Sequence, residues 1–309
     1  MQKSKAKGTL LMRASQQKYL LMMLIPAVIY VAIFAYMPIW GMMIAFFDYN
    51  PGLGFSGSTF VGLKYFKEFL SAADFPILMR NTVAISGLNI LLGTIFPVTF
   101  AILLNELFLP RMKKLTQTIS YLPHFISYVV VANIATTLLS PSGGIVNNLL
   151  MSMGIVDEPI MFLTNPNTFW ILVAGINTWQ EMGWSAIIYI AAIAQIDPQL
   201  YEASSIDGAG RMRRIWHITL PSIVPTIVVL TILAMPELLN AGFDPSYLLG
   251  NPMVADFSKV LDTHIYTVGL QQGRYPLATA VGLMRMLVGI VLIFSTNALA
   301  RRVSDYSIF

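Results

Sequence analysis

Four residues that could bind a polar ligand stand at helical spacing in an otherwise apolar run, residues 169–194. Asn177, Gln180, Glu181 and Trp184 fall at positions i, i+3, i+4 and i+7, which places them on one face of a helix. Amide and carboxylate groups beside an indole ring can hold sugar hydroxyls and the apolar face of a pyranose. The same groups could instead join two helices, so a structural role stands beside the ligand-binding one.

The depth of Glu181 in this run favours a functional face. It lies about 18 Å along a helix that starts at Phe169, at 1.5 Å per residue, near the centre of a bilayer. An ionisable group there is expected to face protein or water rather than lipid. Arg285, within a later apolar run, could neutralise Glu181 or Glu237. The predicted substrate pathway therefore comprises Asn177, Gln180, Glu181, Trp184, Glu237 and Arg285, with a purely structural ion pair as the alternative.

Catalytic and metal-binding patterns are not found in the sequence. The 309 residues include no cysteine, and the three histidines, His124, His217 and His264, are scattered without H-E-x-x-H spacing. No Gly-x-x-x-x-Gly-Lys-Ser/Thr phosphate loop occurs. We therefore predict no metal site, no disulfide, no nucleophilic catalysis and no ATP hydrolysis by this chain.

A polar stretch, residues 196–225, interrupts the apolar sequence. Asp197 is suited to cap a helix whose first position is Pro198, and Asp207-Gly208 is a turn signal that ends it near Ile206. A second short helix is expected over 211–217. The stretch therefore predicts a helix-turn-helix between two membrane spans.

The remaining composition is that of a membrane protein. Hydrophobic residues make up 56% and charged residues 11%, against about 25% charged in soluble domains. Six runs are long enough to cross a hydrocarbon core of about 30 Å as helices. They are residues 19–47, 82–104, 119–139, 169–194, 218–239 and 277–299. We read them as one all-α membrane domain, 19–309, preceded by a basic segment, 1–18.

Basic residues are unevenly divided between the two sides that six spans would create. Thirteen Lys and Arg fall in the termini, 105–118 and 195–217, whereas five fall in 48–81, 140–168 and 240–276. By the positive-inside rule both termini and the helix-turn-helix are cytoplasmic, in the plasma membrane. This sorting explains the net charge of +4 better than binding to nucleic acid does. Within the outer segments, 143–153 carries an amphipathic pattern suited to a helix on the membrane face.

The helix-turn-helix residues resemble a known motif. Glu202-Ala203-Ser204, Asp207-Gly208-Ala209 and Ile218-Thr219-Leu220-Pro221 are similar to the EAA loop of the membrane subunits of binding-protein-dependent ABC importers. Ser204 departs from the usual Ala, a small-for-small change. The segments 48–51, 60–63 and 262–280 resemble polysaccharide and oligosaccharide permeases of the LplB type.

The resemblance implies a type I importer-like permease that works by alternating access, with 196–221 as its coupling loop. The implied partners are a second related permease in a heterodimer, two copies of a cytoplasmic ATPase that would bind ATP and Mg²⁺, an extracellular solute-binding lipoprotein, an oligosaccharide and membrane lipid. No cofactor is expected on this chain. The residues expected to couple to the ATPase are Tyr201, Glu202, Ala203, Ser204, Asp207, Gly208, Ala209, Arg211 and Arg213.

Two other functions remain open at this point. One is an importer of the same kind for a different solute. The other, from a different class, is a stand-alone channel or receptor, which would function without an ATPase. The basic residues near the turn, Arg211, Arg213 and Arg214, could likewise reflect only the inside-positive bias rather than contacts with a partner.

Overall fold

The structure, a computed structural model, describes residues 17–303. The basic segment predicted over 1–18 therefore lies almost wholly outside the described residues. Helix α1 (Lys18–Val31) continues through a π-helical turn (Ala32–Tyr36), α2 (Met37–Gly41) and a 3-10 turn (Met42–Phe46). The π turn ends two residues before Pro38, whose ring nitrogen cannot donate to the carbonyl one turn back.

A two-stranded antiparallel hairpin follows the first helical segment. Strands β1 (Phe47–Asn50) and β2 (Gly54–Phe60) pair with Phe47 opposite Phe60, and these two rings meet edge to face at 5.3 Å. Helix α3 (Lys64–Leu70) then packs beside it, and the Tyr65 hydroxyl donates to Asp48 at 2.8 Å. The expectation of an all-α chain was wrong for this segment, in which the aromatic residues Phe47, Tyr49, Phe55 and Phe60 favour strand pairing.

The core of the molecule is the pair formed by α4 (Phe75–Asn105) and α8 (Phe169–Ile193), which lie against each other. Small residues allow close approach along α8. Val173, Ala174 and Ala186 are fully buried, and a Cβ at Gly183 would collide with the backbone of Ser120.

The third predicted span is broken. Helix α5 (Pro110–Tyr121) and helix α6 (Tyr128–Leu138) meet at 103° across a 3-10 turn (Leu122–Phe125). The prediction of one straight helix over 119–139 was therefore wrong. Pro123 is at the start of the 3-10 turn, and Ile126 and Ser127 are extended, which ends the helical path. The predicted amphipathic helix at 143–153 corresponds to α7 (Ile145–Ser152).

The C-terminal half contains the helix-turn-helix and the last long helix. It runs through α9 (Pro198–Ile206), α10 (Arg211–Arg214), a π turn (Ile215–Thr219), α11 (Leu220–Ala234) and a 3-10 turn (Met235–Leu239). Short helices α12 (Phe243–Leu249), α13 (Ala255–Ser258) and α14 (Leu261–Tyr266) follow, with a 3-10 turn (Pro252–Val254) before α13 and a π turn (Thr267–Gln271) after α14. Helix α15 (Tyr275–Val303) ends the described chain.

Within residues 17–303, four helices are long and apolar enough to cross a membrane: Leu21–Phe46, Phe75–Asn105, Arg211–Leu239 and Tyr275–Arg301. The bent pair α5–α6 would make a fifth. Helix α8 has the length for a span but is not among them, since its polar run from Asn177 to Glu181 lowers its hydropathy. The count of six spans therefore stays a prediction.

The three segments predicted to share the outer side form one connected layer. The amide of Asn81 donates to the carbonyls of Asp256 and Lys259 at 3.0 and 2.8 Å. The Trp170 indole donates to Phe257, and the Asn251 amide donates to Leu163. These hydrogen bonds hold together segments that are far apart in sequence. Such contacts are expected of segments that lie on the same side of the membrane.

Candidate functional site

The first helix of the helix-turn-helix is capped at both ends as the sequence predicts. The Asp197 carboxylate accepts from the backbone N–H of Gln199 at 2.9 Å. Gly208 has a φ of +72°, and its N–H donates to the Ser205 carbonyl at 3.2 Å. The Ala209 N–H donates to the Ser204 carbonyl at 2.9 Å. This pair of bonds is a Schellman motif, which needs a residue that tolerates the left-handed conformation at the position of Gly208.

The second helix of the motif is continuous with the long helix that follows. The sequence predicted a short helix over 211–217 and a separate span from 218, whereas one helical rod runs from Arg211 to Leu239 through the π turn. Tyr201 on α9 shares a 2.9 Å hydrogen bond with Thr219, which is 1% exposed. The Arg214 guanidinium donates to Ser205 at 3.2 Å. Both contacts tie α9 to the base of the rod.

The outer surface of the motif mixes charge with apolar side chains. Glu202, Asp207 and Arg213 are exposed. Large apolar side chains are also exposed, namely Leu200, Ile206, Met212 and Trp216. Arg211 differs from Arg213, because its guanidinium lies 3.9 Å from the centre of the Phe108 ring, a cation–π contact within the chain. The predicted coupling residues thus lie in one small protrusion. Arg211 lies at the base of this protrusion, where it contacts Phe108.

The polar face of α8 is organised around a histidine from the broken span. His124 Nδ1 lies 2.7 Å from the Glu181 carboxylate. The His124 ring is stacked on the Trp184 ring, with centroids 4.5 Å apart and planes 3° from parallel. Phe125 meets Trp184 edge on at 5.7 Å. Glu181 and Trp184 remain about half exposed, so the cluster has an open side.

The other two predicted pathway residues on α8 act as links between segments. The Gln180 amide donates to the Ile126 carbonyl at 2.9 Å, which satisfies a backbone group at the break before α6. The Asn177 amide donates to Asn89 on α4 at 3.2 Å. A cavity of about 630 Å³ adjoins this face, and its polar lining includes Asn89, Thr94, Trp184, Ser185 and Tyr189. The four residues on α8 are therefore brought together as predicted, with two of them engaged in structural bonds.

Glu237 and Arg285 are not part of this cluster. The expected pairing of Arg285 with Glu181 or Glu237 was wrong, because Arg285 forms an ion pair with Asp262. Glu237 is exposed and accepts from the Asn240 amide at 2.5 Å. The pairing was expected because these residues lie at similar depths along their helices. Depth does not determine how each helix is rotated about its axis, and therefore which side chains face each other.

Sequence reasoning missed His124, Phe125 and Asp262 as members of these sites. A signal for the first two exists, since Pro123 next to a polar ring inside an apolar run indicates a break where polar groups gather. Asp262 carried no such signal, because it lies in a long connecting segment.

Comparison with known proteins agrees with this architecture. The family described as "Binding-protein-dependent transport system inner membrane component" matches residues 7–305. The chain is 43% identical over 99% of its length to the polygalacturonan/rhamnogalacturonan transport system permease protein YteP of Bacillus subtilis, 95% of which is covered. It is 42% identical to Protein LplB of the same organism over 95% of this chain and 92% of that protein.

A solved structure is similar along nearly the whole chain. A chain of a bacterial alginate ABC transporter, crystallised with an alginate pentasaccharide-bound periplasmic protein, superposes with a TM-score of 0.85 at 38% identity, covering 96% of this chain and 98% of that one. The match of the family to most of the sequence, together with the helix-turn-helix and the long apolar helices, shows that the chain belongs to the inner-membrane components of binding-protein-dependent transport systems.

Proposed function

We propose that this chain is the permease subunit of an ATP-driven importer of oligosaccharides or polysaccharide fragments. The observation that carries the proposal is the continuity between the capped helix-turn-helix and the rod ending at Leu239. A rigid connection of this kind gives a partner's movement a direct route into a membrane-spanning helix. The relatives whose names include polygalacturonan, rhamnogalacturonan and alginate support a glycan as the solute.

The proposed assembly contains a second related permease, two cytoplasmic ATPase subunits and an extracellular solute-binding lipoprotein. The chain lacks a phosphate loop of its own, so ATP and Mg²⁺ would be bound by the ATPase. The exposed Ile206, Met212 and Trp216, beside Glu202, Asp207 and Arg213, provide the mixed apolar and charged surface that a docking partner needs. Both termini and the coupling loop would face the cytoplasm.

Alternating access is the mechanism that we propose for these parts. Closure of the ATPase dimer would displace α9, and the bonds from Tyr201 to Thr219 and from Arg214 to Ser205 would carry that displacement into the rod. The rod packs on α4, α8 and α15, so its reorientation would open or close the space beside the polar face of α8. Glu181, Trp184 and the neighbouring hydroxyls would then offer a low-affinity path for a sugar.

The test is uptake of a labelled oligosaccharide into proteoliposomes containing the full assembly, with and without ATP. Gly208→Val should abolish ATP-driven uptake, because a β-branched residue at a φ of +72° cannot keep the Schellman turn. Gly210→Val is the matched control, since Gly210 has a φ of −68° and open space around its Cβ position. Both variants should insert in the membrane equally.

Three results would contradict the proposal. Full uptake by Gly208→Val would remove the role of the loop as a lever. Solute flux through the purified chain without any ATPase would favour the channel, which is the competing class of function. Co-purification from native membranes without a second permease or an ATPase would point the same way.

A further inference from the structure

A small polar cleft lies between α12, α13 and α14, away from the face of α8 described above. Its volume is about 230 Å³, below the roughly 300–1,000 Å³ of cavities that enclose drug-sized ligands, which suits a single sugar unit. Its side-chain lining includes Ser246, Tyr247, Asn251, Ser258, Lys259 and Thr263. All of these belong to the segment 240–276, which the charge rule places outside the membrane.

One hydroxyl in the cleft is buried without a partner. Ser246 is 2% exposed, and its Oγ has no hydrogen-bond partner within residues 17–303. Leaving a buried hydroxyl unsatisfied is unfavourable, so a ligand group that reached this Oγ would supply the partner that it lacks. Gly250 allows close packing beside the cleft, because a Cβ there would lie 3.0 Å from the Ser258 Oγ and would collide with the Ser246 carbonyl.

One cation at the cleft is also without a counterion. Lys259 is exposed, and no carboxylate in the described part of the chain lies within ion-pair distance of its ammonium group. Its backbone is fixed, because its carbonyl accepts from the buried Asn81 amide at 2.8 Å. By contrast, the nearby Arg274 is paired with Glu68 at 2.5 Å. Lys259 is thus a cation lining the cleft that can take an anionic ligand.

An aromatic ring stands at the rim in a fixed position. Tyr247 is 46% exposed, and it is held by stacking on Phe243 at 4.8 Å and by edge contact with Tyr266 at 5.5 Å. A pre-positioned ring can receive the C–H face of a pyranose with little loss of side-chain freedom. A serine, a lysine and a tyrosine therefore line one cleft whose volume suits a single sugar unit.

We infer that this cleft is an outer subsite for a carboxylated sugar unit, a hexuronate, of the transported glycan. Lys259 would pair with the carboxylate, Ser246 would bond to a ring hydroxyl, and Tyr247 would cover one face of the ring. The inference rests on the proposed function and adds a substrate class to it. Lys259 and Thr263 also line a neighbouring cavity of about 460 Å³, so the cleft continues into a second cavity on that side.

The experiment measures binding of trigalacturonate by saturation-transfer NMR. The sample is the full chain in lipid nanodiscs, assembled with the second permease and the ATPase subunits. Nucleotide and the binding protein are left out. The matched ligand is the same trisaccharide with its carboxylates methyl-esterified. Lys259→Gln should raise the Kd for trigalacturonate about fivefold, the range expected for one exposed charge pair, and Ser246→Ala should raise it about threefold. Lys67→Gln, an exposed lysine on α3 away from the cleft, should leave the Kd unchanged.

The outcomes separate this inference from the proposed function. Three outcomes of the binding experiment would overturn the subsite. They are equal Kd values for Lys259→Gln and Lys67→Gln, equal binding of trigalacturonate and its methyl ester, and no binding of trigalacturonate at all. Retention of trigalacturonate binding by Lys259→Arg would support it and exclude misfolding as the cause. The two proposals can also fail separately. If Gly208→Val imports normally while trigalacturonate binding still depends on Lys259, the role of the coupling loop is overturned and the subsite stands. If Lys259→Gln impaired only capture of the binding lipoprotein, the cleft would be a protein contact and the inference would fail.

Discussion

The imidazole of His124 lies flat against the indole of Trp184, with centroids 4.5 Å apart, while its Nδ1 is 2.7 Å from Glu181. One ring from the break between α5 and α6 therefore contacts two residues on the polar face of α8. Since Gln180 also bonds to the backbone of that break, the broken segment and the helix face are fixed relative to each other. A movement of one requires a movement of the other.

The pair His124–Glu181 is expected to act as a unit in transport. Glu181→Gln and His124→Gln should each lower ATP-driven uptake by about five- to tenfold, because each removes the same contact, and the double variant should lower it no further. Uptake into proteoliposomes measures this. Glu158→Gln, an exposed carboxylate in the α7–α8 connection, serves as the control. Losses that multiply in the double variant would show that the two residues act separately.

Gly183 is expected to be intolerant of even a methyl group. Gly183→Ala should destabilise the protein by about 1–3 kcal/mol, since its Cβ would collide with the Ser120 backbone. Gly175→Ala, on the same helix with open space at the Cβ, should be neutral or stabilising by up to about 1 kcal/mol. Thermal unfolding in detergent compares the two. Equal unfolding temperatures would mean that α5 does not approach α8 as closely as described.

The ion pair Arg285–Asp262 is partly buried, with side-chain exposures of 28% and 12%. Arg285→Gln should destabilise the protein by up to about 3 kcal/mol, because it leaves the Asp262 charge without its partner. Adding Asp262→Asn should restore most of the lost stability, since neither charge is then left behind. The measurement is again thermal unfolding. A double variant no more stable than Arg285→Gln would show that the pair is not the source of the effect.

Burial lowers the pKa of His264 from its ordinary value of 6.5, and the cations Arg274 and Lys259 act in the same direction while Asp74 opposes them. A histidine with a depressed pKa contributes stability that is complete above about pH 6.5 and is lost as the pH falls through the folded-state pKa. Unfolding temperatures between pH 7.5 and 5 should therefore fall more steeply for the wild type than for His264→Gln. Parallel curves would contradict this.

Local backbone signals made the helix-turn-helix predictable. The ends of a helix depend mainly on residues close in sequence. Asp197 and Pro198 suit a helix start and Gly208 suits a helix end, and the structure has both caps. The bend at Leu122–Phe125 was missed although Pro123 indicated it, because the apolar run outweighed a single proline. The hairpin at 47–60 was missed because its strands are short and not strictly alternating.

Pairings between distant residues were not predictable in the same way. Arg285 with Asp262 and His124 with Glu181 depend on helix rotation and on the bend, which spacing along one helix does not determine. The polar face of α8 was found because its members lie on a single helix. The residues that contact this face lie on other segments of the chain. The sequence alone does not show which of them come close to it.

The rod from Arg211 to Leu239 has a mechanical consequence. Its 29 residues span about 43 Å at 1.5 Å per residue, so a tilt of roughly 10° about its loop end would displace the other end by about 7 Å. That other end, Met235–Leu239, packs on α4 and α15, and Pro236 lies against Gly289. A small angular change at the helix-turn-helix would thus become a displacement larger than a side chain at the far end of the rod.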